Sequence, residues 1–537
     1  MSTSTHAQKT DVDEKEEEHH QVLKEHVRKM LAARPPQELI VLIDDIQRLG
    51  LSYHFQPELE TLLQDIKDSF LEYYCREKDT DLHQVALCFR LLRQQGHFVS
   101  DKALLMTSLC TDMFYKFKDS KGKFKEELVK DVRGMLSLFE ATHLRVHSEN
   151  VLEDALDFTT HHLSLFLNSN SDDPLVDLVG HALRYPLCRD INRLVARHYI
   201  SLYHKFDWHN QVLLDLAKCD FNLVQKLHQV ELGHITKWWK DLDTANKLPF
   251  ARDRVAECYF WILGVYFEPR HAKGRIFLTK VTSLTSIVDD MYDVYGTPEE
   301  LQQFTDAIEE WDISSLDKLP DYMRVCYQAL LDVFSKAEEE MVKEGGLTYG
   351  FDHAKNAFKR TVRHYHQEAK WCHVGYFPKF EEYMGVACLS AGMAMLSITS
   401  FVLMGNVATK EAFEWTSKDP LILRAVAEIG RLGNDIVGHE NERKRAHVPS
   451  AVECFMQQFG VPKEIAYESL QNRLTNAWKD MNHECFNATA VPRRLLTNVY
   501  NFSCATNLLY EDYDGYTISS TRTKERITSI LIDPIPV

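Results

Sequence analysis

The chain has 537 residues, several times the length of a typical single domain, so two or more compact units with a large buried interior are expected. Only 21 glycines and 16 prolines occur, about 7% of the chain against an average near 12%, which excludes a protein of many short strands and favours helices joined by modest loops. A formal charge of −17, from 79 acidic and 62 basic residues, excludes nucleic acid and anionic lipid as partners unless basic residues are concentrated in one patch.

Residues 1–20 are polar, carry Asp11, Asp13, Glu14, Glu16, Glu17 and Glu18, and read as a mobile tail. Such an acidic start is the opposite of an Arg-rich, acid-poor transit peptide. Together with 12 cysteines scattered singly and no C-x-x-C pair, it points to a cytoplasmic, reduced protein without a structural zinc site.

Helical periodicity begins beyond Pro35–Pro36, where Leu39, Leu42, Ile43 and Ile46 recur at three- and four-residue spacing. Similar segments continue to about residue 220, and a new apolar stripe of Leu223, Val224, Leu227 and Val230 marks the expected start of a second unit. The expected domains are therefore 21–221 and 222–537. The pairs Asp44–Asp45 and Asp172–Asp173 have no matching partner stripe and are read as surface residues.

Arg252 and Arg254 flank Asp253 in an otherwise acidic chain, and guanidinium forks suit multidentate recognition of phosphate. Beyond them, in Ser286-Ile287-Val288-Asp289-Asp290-Met291-Tyr292-Asp293, a helix places Asp289 and Asp293 on one face at i and i+4. Two like charges so placed cost a bare helix a few tenths of a kcal/mol, on the order of 0.2–0.5. Mg²⁺ would repay that cost, because it takes one or two carboxylates and completes its shell with water and phosphate oxygens.

The most apolar run, Ala391 to Met404, is too short for a membrane span and is interrupted by Gly392, Ser397, Thr399 and Ser400, so it reads as a core helix. Farther on, Asn434, Gly438 and Glu442 fall at i, i+4 and i+8, with Arg431 one turn earlier. Two oxygen-bearing stripes on two helices can face each other across a bundle and hold several Mg²⁺ ions around a diphosphate. Neither a Gly-x-Gly-x-x-Gly loop nor a Gly-x4-Gly-Lys-Ser/Thr loop occurs, so phosphate binding is not of the glycine-loop kind.

On these motifs the chain resembles the plant class I terpene synthase family, of the cytosolic sesquiterpene synthase type. D-D-x-x-D is matched by Asp289, Asp290 and Asp293, the second metal motif by Asn434 through Glu442, and R-x-R by Arg252 and Arg254. Leu42–His54, Cys88–Ser100, Leu136–Leu144, Trp238–Asp241 and Tyr510–Thr517 are similar to the family as well.

The resemblance implies an all-α fold of two domains, an N-terminal α-barrel and a C-terminal catalytic helical bundle. It further implies a monomer that ionises and cyclises farnesyl diphosphate with three Mg²⁺ ions, for which Mn²⁺ can substitute. Metal would be held by Asp289, Asp290, Asp293, Asn434, Gly438 and Glu442, with Asp290 acting indirectly. Substrate would be bound by Arg252, Asp289, Asp293, Arg431 and Asn434, with Arg254 sharing the departing charge. Trp261, Tyr510, Asp514 and Tyr516 would line the pocket, and Gly392 matches a helix break, for which a close helix contact is the alternative.

Two departures stand out. The first tryptophan is Trp208, so an Arg/Trp-containing N-terminal lid would be shortened or chemically different; and Gly438 replaces a serine or threonine oxygen. A chain-elongating prenyltransferase and an inactive helical relative are the competing readings.

Overall fold

The computed structural model describes residues 11–74, 81–97, 113–169, 172–442, 448–487 and 491–537. Among the described residues there are helices and short 3₁₀ turns but no strand, only an isolated bridge between Lys118 and Phe124. The chain divides into two compact units. One comprises the chain up to Leu227 together with Thr528–Val537, and the other His228–Ile527.

In the first unit a helix spans Asp11–Ala33, so residues 11–20 are not a tail; residues 1–10 lie outside the described residues. Its apolar face is the sparse series Leu23, Val27 and Leu31, and its earlier anchor is polar, which is why composition concealed it. The buried His20 Nε2 lies 3.0 Å from Asp220 Oδ1, where His54 Nε2 and the Tyr53 hydroxyl also converge at 2.7 Å each. Burial works to raise the Asp220 pKa, but the hydrogen bonds from His20, His54 and Tyr53 outweigh it and hold the carboxyl well below the usual range.

Asp44 and Asp45 are not at the surface. Asp44 accepts from Arg48 Nε at 3.0 Å and pairs with Arg90, while Asp45 accepts the hydroxyls of Tyr199 and Tyr203 at 2.9 Å each. A buried acid pair is tolerated because every oxygen has a donor, a requirement that sequence spacing along one helix does not display. Asp172 and Asp173 are exposed.

The last ten residues also depart from the expected 222–537 domain. Gln225 Nε2 donates to the carbonyls of Ile530 and Asp533 at 3.1 Å each, and the Asn222 amide exchanges two 2.8 Å hydrogen bonds with the backbone of Ile535. These contacts return the chain end to the first unit.

The second unit is a helical bundle. Within it, fully buried Arg275 grips both oxygens of Glu231 at 2.8 and 2.6 Å, and the Tyr259 hydroxyl caps the same carboxylate at 2.9 Å. Such a pair is retained only when its hydrogen bonds are complete, and it ties the helix Val255–Val265 to Ala272–Asp290.

The apolar stretch Phe380–Phe401 reaches 22 residues, long enough by length and composition to cross a membrane, which exceeds the expected run. It is broken into Phe380–Ser390 and Met393–Phe401 and is mostly buried in the bundle, as a core segment would be. The break is at Gly392, whose φ of +75° favours glycine. A Cβ there would meet nothing closer than 3.9 Å, so conformation rather than a close helix contact accounts for the glycine.

Candidate active site

A cavity of about 570 Å³ opens within the second unit. Three helices, Ala272–Asp290, Tyr349–Val374 and Leu421–Glu442, and the broken pair around Gly392 supply most of its wall. On the first, Thr282, Thr285, Ser286 and Asp289 line it at three- and four-residue spacing. The helix then widens into a π-helical turn over Met291–Tyr295, which carries Asp293. Sequence periodicity implied a continuous α-helix; the π turn, a feature often found at functional sites, changes the angle between the two aspartates.

Asp289 and Asp293 both line the cavity, and Asp293 is exposed at its rim. Burial pushes the Asp289 carboxyl up to about 6; Arg252 opposes the rise, and Asp293 and Asp290 add to it. Asp290 is engaged differently. Its Oδ2 accepts the backbone N–H of Arg252 at 3.0 Å, and its Oδ1 forms an ion pair with Arg252 Nε at 2.7 Å. Arg252 in turn donates to Asp289 Oδ2 at 3.0 Å and to Thr517 Oγ1 at 2.9 Å.

Arg254 is not part of the wall. Its guanidinium donates to the carbonyls of Tyr516 at 2.9 Å and Thr517 at 2.8 Å, so it fastens the C-terminal segment rather than reaching the cavity. Asp514 secures the same segment, accepting the N–H groups of Tyr516 and Thr517 at 3.1 and 2.8 Å. Trp261 packs edge-to-face against Tyr516 and Tyr510, with centroids 5.5 and 6.2 Å apart, and all three rings line the cavity.

On the helix Leu421–Glu442, Arg431, Asn434, Asp435 and Gly438 line the wall. The Glu442 side chain lies outside the described residues. Arg431 donates from Nε to the Ala387 carbonyl at 3.0 Å, from Nη2 to Ser390 Oγ at 3.1 Å and from Nη1 to Asp435 Oδ1 at 3.2 Å.

Glu368 was missed by the sequence reading because it belongs to no acidic motif. Its only signal is a stripe of Tyr365, Glu368, Ala369 and Cys372, all of which line the cavity. Burial pushes its carboxyl up to about 7, against the pull of Arg431 and a hydrogen bond from Ser390. The wall thus gathers carboxylate and amide oxygens from three helices, donors suited to a hard divalent cation, beside two arginines and an aromatic lining.

Residues 240–480 match the family described as terpene synthase family, metal binding domain, and residues 1–183 match the terpene synthase N-terminal domain. Sesquiterpene synthase 2 of Thapsia garganica is 64% identical across all of this chain and 94% of its own length. The chain belongs to the terpene synthase family.

Among other family members, the (−)-germacrene D synthase of Vitis vinifera is 51% identical over 98% of this chain and 92% of its own. Isoprene synthase from grey poplar, solved with three Mg²⁺ ions and dimethylallyl-S-thiolodiphosphate, has the same fold with a TM-score of 0.88. It is 33% identical and covers 97% of both chains. The all-α, two-domain expectation and the divalent-metal expectation are those of a terpene synthase.

Proposed function

We propose that this terpene synthase is a cytoplasmic, monomeric sesquiterpene synthase that ionises and cyclises farnesyl diphosphate, releasing diphosphate as a carbon–oxygen lyase. The observation that carries this reading is one cavity with oxygen ligands and guanidiniums on part of its wall and buried aromatic rings on the rest. Asp289, Asp293 and Asn434, joined by Glu442 from the end of its helix, would hold Mg²⁺, with three ions required and Mn²⁺ able to replace them. Mg²⁺ supplies Lewis-acid neutralisation of the diphosphate oxygens.

The chain's own residues do the rest. Arg252 and Arg431 take up negative charge as the allylic C–O bond breaks and its electron pair leaves with diphosphate. Trp261, Tyr510 and Tyr516 exclude water and offer ring faces whose quadrupoles stabilise the carbocation until a proton is lost. Asp514 and Arg254 keep the segment bearing Tyr516 in place.

The test is gas chromatography of extracts from purified protein given Mg²⁺ and farnesyl, geranyl or geranylgeranyl diphosphate alone. Cyclic C15 products from farnesyl diphosphate without isopentenyl diphosphate are expected. Preference for either other chain length, or dependence on isopentenyl diphosphate, overturns the reading.

A further inference from the structure

We infer that Asp435, which the metal motif does not use as a ligand, is the positioning residue that aims Arg431 at the diphosphate. Asp435 is 1% exposed and divides its two oxygens between different tasks. Oδ2 accepts the Tyr383 hydroxyl and the Ala451 N–H, both at 2.7 Å, which fixes the carboxylate to the helices Phe380–Ser390 and Ala451–Phe459. Oδ1 is left for Arg431 Nη1 at 3.2 Å, one turn earlier on the same helix.

The guanidinium has five N–H donors, and three are engaged, by Ala387, Ser390 and Asp435. Among the described residues two remain without an acceptor, on Nη1 and Nη2, in a plane set by those three acceptors. A fork held this way meets phosphate oxygens without losing further side-chain freedom. An aspartate serving only Tyr383 and Ala451 would have no need of the second oxygen. An asparagine would satisfy those two donors with its carbonyl and turn its NH₂ toward Arg431, setting donor against donor.

The inference rests on the reading that Arg431 receives diphosphate charge, and the two are separable by experiment. The probe is inorganic diphosphate at saturating Mg²⁺, its inhibition constant measured for wild type, Asp435→Asn, Arg431→Gln and the double variant, with thermal melts of each. Asp435→Asn is expected to weaken inhibition about tenfold alone and to add nothing in the Arg431→Gln background, the non-additivity of residues acting as one unit. Tyr383→Phe, which leaves both carboxylate oxygens in place, covers the case in which Asp435→Asn does not fold. It is expected to cost about two- to threefold, again only while Arg431 is present. Additive losses, or unaltered inhibition in the folded single variants, overturn the inference while leaving Arg431 in its role. Unaltered inhibition in Arg431→Gln overturns both.

Discussion

Both carboxylate oxygens of Asp290 are committed to Arg252, one to its backbone N–H at 3.0 Å and the other to its guanidinium at 2.7 Å. The middle residue of the aspartate motif therefore orients an arginine with both oxygens, whereas Asp289 gives Arg252 only Oδ2 and, like Asp293, lines the cavity. The two kinds of residue should fail differently. Asp289→Asn is expected to raise the Mg²⁺ concentration for half-maximal turnover roughly tenfold. Asp290→Asn should lower kcat by about tenfold with that concentration little changed, as supporting residues around metal sites do. Mg²⁺ titrations of both variants decide it, and equal shifts in Mg²⁺ requirement would count against the distinction.

Asp45 predicts a pH dependence of stability. Burial, then the neighbouring Asp44, pushes its carboxyl up to about 7, despite hydrogen bonds from Tyr199 and Tyr203. Because the folded value lies above the unfolded one, the folded state holds the proton more tightly. The corresponding stability is complete below about pH 4 and is lost as pH rises through about 7. Asp45→Asn should flatten the melting temperature between pH 5 and 8 and raise it relative to wild type at the alkaline end. Parallel curves for the two proteins in calorimetry would contradict the assignment.

Gly438 supplies no side-chain oxygen to the second metal stripe, although it lines the cavity. Gly438→Ser should add a ligand and lower the half-saturating Mg²⁺ concentration. It should also stabilise the helix by roughly 0.5 kcal/mol through propensity alone. Metal dependence and denaturant stability are therefore measured separately, and an unchanged Mg²⁺ requirement in the folded variant would show that water already suffices there.

Two glycines on one broken helix should respond with opposite sign. At Gly392 an alanine fits sterically but must adopt a φ of +75°, which costs about 1–2 kcal/mol. At Gly385, inside the preceding helix with nothing within 4 Å of a Cβ, alanine should stabilise by about 0.5–1 kcal/mol. Urea unfolding of Gly392→Ala and Gly385→Ala gives both values, and losses of equal sign would mean that packing governs both sites.

Fold class and the cavity-facing oxygen stripes were legible because each depends on periodicity along one helix: Asp289, Asn434 and Gly438 reach one cavity from two separate stripes. What stayed hidden depends on partners distant in sequence. Arg254 looks identical to Arg252 until the carbonyls of Tyr516 and Thr517 claim it. Asp45 looks solvated until Tyr199 and Tyr203 cover it, and Glu368 looks like an ordinary helix glutamate until Arg431 and Ser390 enclose it. The first turns of the helix Asp11–Ala33 lacked an apolar stripe because a histidine, not a leucine, anchors them.

The return of Thr528–Val537 to the first unit sets an order on biogenesis. On the ribosome, the segment up to Leu227 emerges long before the strands of contact made by Ile530, Asp533 and Ile535 exist. The second unit lies between these pieces in the chain, so the earlier-made unit cannot be finished until synthesis is complete. A chain ending at Ile527 would keep every residue of the second unit while the Asn222 and Gln225 amides of the first lost these partners.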